Sequence, residues 1–116
     1  MVSDRFLAQD KNMQELDKDM VEQRINELEK NQSALDNRSW FKPLKKTDGL
    51  SEVRLKAGGK AIRINGCKDG NNVVCFNGYV KKNGSDSSKI AEAGRLKKLW
   101  EAGELTVREV PNAYRL

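Results

Sequence analysis

The chain has 116 residues, of which 37% are hydrophobic and 34% are charged, which fits one folded domain over residues 1–116 and excludes disorder throughout. No stretch approaches the roughly 20 apolar residues of a membrane span, and the charged first residues lack the apolar core of a secretory signal, so we expect a cytoplasmic protein. The net charge of +5 divides into −4 over residues 1–37 and +9 over residues 38–116, which favours a polyanionic partner for the later segment, although a basic surface can also serve solubility alone.

The first predicted elements are helical and occupy residues 4–31. Apolar residues at helical spacing predict a helix over residues 12–30, and they are Met13, Leu16, Met20, Val21, Ile25 and Leu28. The apolar patch at residues 6–8 predicts a further helical turn or a short edge strand. Residues 32–48 are expected to be irregular or weakly helical. Three large side chains should anchor that segment on the core: Trp40, Phe41 and Leu44.

From Gly49 onward the apolar residues alternate, which predicts three strands within a sheet over residues 50–82. The strands are expected at residues 52–56, 60–64 and 73–81. The pairs Gly58-Gly59 and Asp69-Gly70 predict short turns between them. Strands joined by such short turns should form an antiparallel meander.

A C-terminal helix is predicted over residues 86–102, with Ser85, Asp86 or Ser87 as its N-cap. Its apolar side is expected to consist of Ile90, Ala93, Leu96, Leu99 and Trp100. Residues 105–110 should add a short last strand or a tail. The fold class is therefore α+β: an antiparallel sheet of three to four strands with N-terminal helices and one C-terminal helix packed on it.

The chain has two cysteines, Cys67 and Cys75, and no histidine. A tetrahedral zinc site needs four ligands, usually Cys and His, so we expect no metal and no cofactor. Both cysteines are expected to be small buried residues in or near strands. A disulfide between neighbouring strands remains open as an alternative.

Cationic side chains follow the outward positions of the predicted strands. Alternation places Arg54 and Arg63 opposite the aliphatic residues, and their consecutive strands should let both side chains converge. Lys81 and Lys82 end the third strand, and Tyr79 shares the side of Lys81. Such a cluster suits a phosphodiester, because guanidinium groups bind two phosphate oxygens and lysine adds a compact charge. The plainer interpretation is a solvated sheet face without a special role.

RNA can be cleaved without a metal when the neighbouring 2′-OH attacks the phosphate. The protein must then accept the 2′-OH proton, stabilise the developing charge and donate a proton to the leaving oxygen. In a chain without histidine, the candidate proton carriers are Glu52, Tyr79, Lys81 and Lys82. Further candidates for nucleic-acid binding are Lys45, Lys46, Lys56 and Lys60.

These residues also carry a family resemblance, which spans roughly residues 5–102. The run Asp48-Gly49-Leu50-Ser51-Glu52-Val53-Arg54, preceded by Lys42-Pro43-Leu44, resembles the "K-x-L … G-L-W-E-L-R" signature of the phage-derived, HigB-like branch of the RelE/ParE toxins. Ala61-Ile62-Arg63 is similar to that branch's "Y-R-V" strand, and residues 73–82 are similar to its "I-V-L-L-H-G-F-V-K-K" strand. The helix with Ile90-Ala91-Glu92-Ala93 and Arg95 resembles its "E-I-x-x-A-x-x-R" helix.

The resemblance implies a compact RelE-like fold with an N-terminal helical hairpin against the sheet. It further implies a type II toxin that cuts mRNA on the ribosome and that a cognate antitoxin neutralises. The family's basic positions would be Arg54, Arg63, Lys81 and Lys82, with phosphate binding and transition-state stabilisation as their roles.

Three family residues are replaced here, by Ser51, Ile62 and Asn77. These departures motivate an alternative, a non-catalytic phage or mobile-element protein that binds RNA or a host protein. A ParE-like gyrase poison is a third hypothesis, which the paired lysines make weaker. Guanidinium groups at Arg54 and Arg63 that lie far apart, or that are locked in interior ion pairs, would overturn the nuclease hypothesis.

Overall fold

The computed structural model describes residues 2–3, 15–82 and 86–108. Within them the chain forms two α-helices and six strands. The helices are α1 (Glu15–Lys30) and α2 (Ser87–Glu101), and the strands are β1 (Val2–Ser3), β2 (Phe41–Pro43), β3 (Ser51–Ala57), β4 (Lys60–Asp69), β5 (Asn72–Lys81) and β6 (Val107–Arg108). A 3₁₀ helix, Gln32–Asp36, links α1 to β2. The predicted apolar patch at residues 6–8 lies outside the described residues.

The strands form one sheet in the order β2-β3-β4-β5-β1-β6. The four consecutive strands β2 to β5 are antiparallel, whereas the two-residue strand β1 runs parallel to β5 and pairs with β6 on its other side. The α+β class and the antiparallel meander are thereby confirmed. The last strand, predicted within residues 105–110, is present as β6.

Helix α1 packs on one face of the sheet. Val21, Ile25 and Leu28 follow one another at helical spacing and are fully buried against the aliphatic residues of β3 and β4. Glu29 fixes the end of the helix to the sheet, because its carboxylate accepts a hydrogen bond from the Val73 N–H at 3.0 Å. Met20 was predicted to belong to the apolar stripe, but it is exposed, since its position falls one residue outside the buried stripe.

Helix α2 packs on the opposite face, where Ala93 and Leu96 contact Val74 and Phe76. The carboxylate of Asp86 accepts hydrogen bonds from the backbone N–H groups of residues 88 and 89, so it is the N-cap among the three that the sequence offered. Leu99, predicted on the apolar side, is exposed at the outer edge of that contact. Neither helix in the described part of the chain has the length and apolar character needed to cross a membrane.

Two strands differ from their predicted bounds. Strand β4 continues to Asp69 instead of ending at residue 64, because the polar residue Asn65 is paired inside the sheet and a β-bulge accommodates Gly66. Strand β2 falls in the segment predicted to be irregular. It is three residues long, and Pro43, which has no backbone donor, is tolerated there because β2 lies at the edge of the sheet.

The position of the first strand turn and the burial of both cysteines agree with the sequence-based predictions. Gly58 and Gly59 both have positive φ, at 57° and 77°, which is the backbone geometry that a two-residue hairpin turn needs. Cys67 and Cys75 are buried on neighbouring strands with free thiols, so the disulfide alternative is excluded. Complete burial raises the pKa of the Cys75 thiol to about 12.

Candidate nucleic-acid interface

Strand register brings three of the predicted residues into one row across the sheet. Arg54 on β3 lies opposite Arg63 on β4, and Arg63 lies opposite Tyr79 on β5. All three side chains are on the face opposite α1, as alternation predicted. Directly paired residues of neighbouring strands have Cβ atoms about 4.5–5.5 Å apart, so the two arginines are close neighbours.

The next row of side chains, toward the end of β3 at Ala57, contains two lysines. Lys56 on β3 and Lys81 on β5 flank Ala61 on β4, two residues along each strand from the arginine row. Side chains two residues apart on one face are separated by roughly 6–7 Å, so these lysines border the arginines. Lys56 is exposed and Lys81 is half-buried.

A buried amide pair marks where α2 covers the rest of this face. The side-chain N–H₂ of Asn65 donates to the Asn77 side-chain oxygen at 2.9 Å. The Asn77 N–H₂ in turn donates to the Lys89 carbonyl at 2.8 Å and to the Glu92 carboxylate at 2.9 Å. These bonds fix the start of α2 over β5, which leaves the β3 side of the face uncovered. Sequence reasoning named Asn77 only as a replaced family residue and missed Asn65, although each of the two stands inside a strand pattern directly before a glycine.

Glu52 contacts both arginines and neutralises part of their positive charge. Its Oε1 atom is 3.4 Å from Nε of Arg54 and 3.5 Å from Nε of Arg63. The side-chain exposure is 7% for Glu52, 11% for Arg63 and 29% for Arg54. The expectation of an outward, solvated position is therefore wrong for Arg63. Arg63 lies on β4, which is flanked by β3 and β5, whereas Arg54 lies on β3, closer to the edge of the sheet.

The interior ion pair limits what Arg63 and Glu52 can do. Arg63 also donates from Nη1 to the Ile62 carbonyl at 3.1 Å, so its guanidinium is engaged within the protein. The criterion against a nuclease, a guanidinium locked in an interior ion pair, is therefore met by Arg63 but not by Arg54, which stays 29% exposed. Arg63 is placed to orient Glu52 and Arg54, while Arg54 is the member of the trio that can reach a phosphate. A carboxylate in contact with two guanidinium groups is poorly available to a 2′-OH.

Tyr79, the third member of the arginine row, is buried. Burial raises the pKa of its hydroxyl, and the nearby Glu52 carboxylate acts in the same direction, while the Asp86 backbone and Arg63 oppose the shift. The hydroxyl is therefore protonated at neutral pH. Of the two proton-transfer roles considered for Tyr79, the donor role fits this state and the acceptor role does not.

The structure adds a residue from α1 that sequence reasoning missed. The Arg24 side chain reaches around the edge of β3, where its Nη1 donates to the Arg54 carbonyl at 2.9 Å. Its guanidinium carbon lies 4.0 Å from the centre of the Trp40 ring. Helical spacing does not mark Arg24, since it is one polar residue among many on α1. The tryptophan also packs on the core, as its predicted anchoring role requires.

An open groove of about 450 Å³ runs along these side chains. Its cationic lining consists of Arg24, Arg54, Lys56 and Arg63. Among the residues that the structure describes, the carboxylates of Glu52 and Glu27 contact this set of four cations, so positive charge remains in excess there. The predicted Lys60 lies just beyond Lys56, across the β3–β4 turn. The groove therefore presents an anion-binding surface at the uncovered side of the sheet.

Of the six predicted lysines, Lys56 belongs to the groove lining and the other five do not. Lys60 and Lys81 lie one row or turn away from it, and three lysines lie further along the chain. Lys82 is exposed just after β5. Lys45 and Lys46 are exposed in the β2–β3 loop, at the opposite end of β3 from Lys56. Ser51, where the loop joins β3, is three residues from Arg54, roughly 10 Å of extended chain, so the loop lysines lie beyond the arginine row.

No three His, Cys, Asp or Glu side chains lie close enough together to hold a metal ion in the part of the chain that the structure describes. The comparisons with known proteins add no relative: no protein-family model, no curated protein and no solved structure matches this chain.

Proposed function

We propose that this protein binds single-stranded RNA through the basic groove and acts as a ribosome-dependent mRNA endonuclease, the toxin of a type II toxin–antitoxin pair with a RelE-like fold. The observation that carries the proposal is the groove along β3, where Arg54 and Lys56 are accessible beside the buried Arg63–Glu52 pair. The motif resemblance supplies the activity class, and the partners it implies are mRNA, the ribosome and a cognate antitoxin.

The chemistry assigns different roles to the predicted residues. The RNA phosphate binds Arg54 and Lys56, whose charges stabilise the negative charge that develops at phosphorus. Attack by the 2′-OH forms a cyclic phosphate and breaks the bond to the 5′ oxygen, which needs a proton. The Tyr79 hydroxyl, predicted as a proton carrier, is as buried as Glu52 and does not line the groove, so it does not reach the leaving oxygen in this arrangement. A lysine ammonium donates a proton but has no lone pair to accept one, so Lys81, half-buried in the next row, and the exposed Lys82 are candidate donors to the leaving 5′ oxygen. The 2′-OH proton passes to water in the open groove, because Glu52 is engaged by two guanidinium groups.

The proposal predicts cleavage of translated messages. Primer extension on a reporter mRNA after induction of the wild-type chain should reveal new 5′ ends within the coding region. The Arg54→Ala variant should lose them, whereas Lys45→Ala, in the distant loop, should retain them. The same reporter without a start codon should stay intact, because cleavage depends on translation. Intact message and unchanged growth with wild type would overturn the nuclease proposal.

A second candidate function is non-catalytic RNA binding. The observation that favours it is the ion pair between Arg63 and Glu52 inside the protein, together with the hydrogen bond from Arg63 to the Ile62 carbonyl. These contacts remove one phosphate ligand and one proton acceptor from the predicted set. This candidate predicts that purified wild-type protein binds RNA and that Arg54→Ala weakens the binding, while translated messages remain uncut. Ribosome-dependent cleavage by the wild type would exclude it.

A further inference from the structure

The groove wall contains a stacked pair formed by a guanidinium and an indole. The plane of Arg24 is held at three points: the Trp40 ring at 4.0 Å, the Arg54 carbonyl at 2.9 Å and the Glu27 carboxylate at 3.7 Å. Arg24 and Trp40 line the same groove as Arg54 and Lys56. An arginine side chain normally samples many rotamers, so contacts from three different elements fix its plane before any ligand arrives.

The fixed plane is suited to a flat ligand. The guanidinium carbon lies over the indole ring, and the Arg24 side chain is 20% exposed and lines the groove. Unpaired RNA bases stack on aromatic rings and on arginine planes, and such stacking tolerates any base because every base has a π face. A phosphate alone would need the charge of Arg24 but not its orientation.

The stacked pair also lies next to the phosphate-binding side chains. Arg24 donates to the carbonyl of Arg54, so the plane and the accessible guanidinium are connected through a single residue of β3. A nucleotide offers the same juxtaposition, with a planar base and a charged phosphate joined by one sugar. Lys56 extends the cationic surface along the strand in the direction that the RNA backbone would follow.

We infer that Arg24, supported by Trp40, is a nucleobase-stacking subsite for single-stranded RNA beside the phosphate-binding residues Arg54 and Lys56. This inference rests on the proposed RNA-binding function and adds a specific demand, that the groove recognises the base as well as the backbone. Arg24 also closes the edge of β3, so a test must separate stacking from a purely structural role.

The test compares two ligands on the same protein. Fluorescence anisotropy measures the affinity of a labelled hexaribonucleotide and of an abasic ribose-phosphate chain of equal length and charge. Wild type should bind the base-containing ligand about tenfold more tightly than the abasic one. Arg24→Lys retains the charge but loses the plane, so it should bind the abasic chain like wild type while the tenfold preference falls close to one.

The abasic ligand serves as the internal control for folding and charge, and Arg95→Lys on the exposed side of α2 is the matched variant that should keep the preference. A preference that persists in Arg24→Lys, or equal binding of both ligands by wild type, would overturn the stacking subsite and leave RNA binding in place. Failure of wild type to bind either ligand would overturn the proposed function itself, and the subsite with it.

Discussion

Two arginines in the same row of the sheet differ in what surrounds them. Both line the groove, but Arg54 is 29% exposed, whereas Arg63 is 11% exposed, paired with the buried Glu52 and bonded to a backbone carbonyl. Removing one member of a buried ion pair is costly, because the partner charge loses its compensation in a poorly solvated place. When Arg54 is removed, water reaches the vacated, partly exposed position and Glu52 keeps Arg63 as its partner, so less of the interaction is lost. The two residues therefore have separable roles, Arg63 in stability and Arg54 in binding.

We expect Arg63→Ala to lower the free energy of unfolding by about 3 kcal/mol and Arg54→Ala to lower it by less than about 1 kcal/mol. Urea denaturation followed by circular dichroism measures both, with the slope of the transition as a check on two-state unfolding. Equal losses for the two variants would contradict the difference in burial. If Arg63→Ala is destabilised as expected, loss of RNA binding in that variant reflects folding. Arg54→Ala is therefore the informative variant for function.

Alternation in the sequence predicted the face on which both arginines lie, and the structure confirms that face. It could not predict their different exposure, because the period of a strand says nothing about which part of a face a helix covers. The position of α2 depends on Asn77, whose amide bonds the helix start. Arg24 could not be found from sequence for a related reason: its contacts join α1 to β3 over 30 residues of chain.

At the scale of elements, the bulge between β4 and β5 decides where α2 sits. The bulge shifts the register between Asn65 and Gly66, which lets Phe76 and Asn77 both contribute to the face that α2 covers. Gly66 makes the close approach possible, because a Cβ at this position would collide with the Val74 carbonyl oxygen. The predicted strand ended before this point, since a polar residue and a glycine interrupt the apolar alternation.

Substitution of two glycines by alanine, Gly66 at the bulge and Gly94 in α2, should change stability in opposite directions. Gly66→Ala should lower the free energy of unfolding by about 1–3 kcal/mol, because the backbone must shift to admit the methyl group. Gly94→Ala, in the middle of α2 with open space around its Cα, should raise it by about 0.5–1 kcal/mol. Chemical denaturation measures both variants. A neutral Gly66→Ala would mean that the two strands approach less closely than the structure has them.

At the scale of the whole molecule, the two faces of one sheet perform different tasks. The face under α1 holds the larger apolar cluster, with residues from α1, from the 3₁₀ helix and from strands β2 to β5. The other face is shared between the apolar contact with α2 and the cationic groove. The segregation of positive charge into residues 38–116 predicted a basic surface, but it could not predict that Lys45 and Lys46 lie at the far end of β3 from it.

The groove as the RNA-binding surface is the central claim, and the salt dependence of RNA affinity tests it most directly. Two variants that each remove two cations are compared with wild type on one single-stranded RNA: Arg54→Ala with Lys56→Ala in the groove, and Lys45→Ala with Lys46→Ala in the loop. Each backbone contact to single-stranded RNA contributes about 0.7 to the slope of log affinity against log salt. We predict that the groove variant loses about 1.4 from this slope and at least about tenfold in affinity, while the loop variant remains close to wild type. Equal losses in the two variants, or no salt-dependent binding by wild type, would contradict the account.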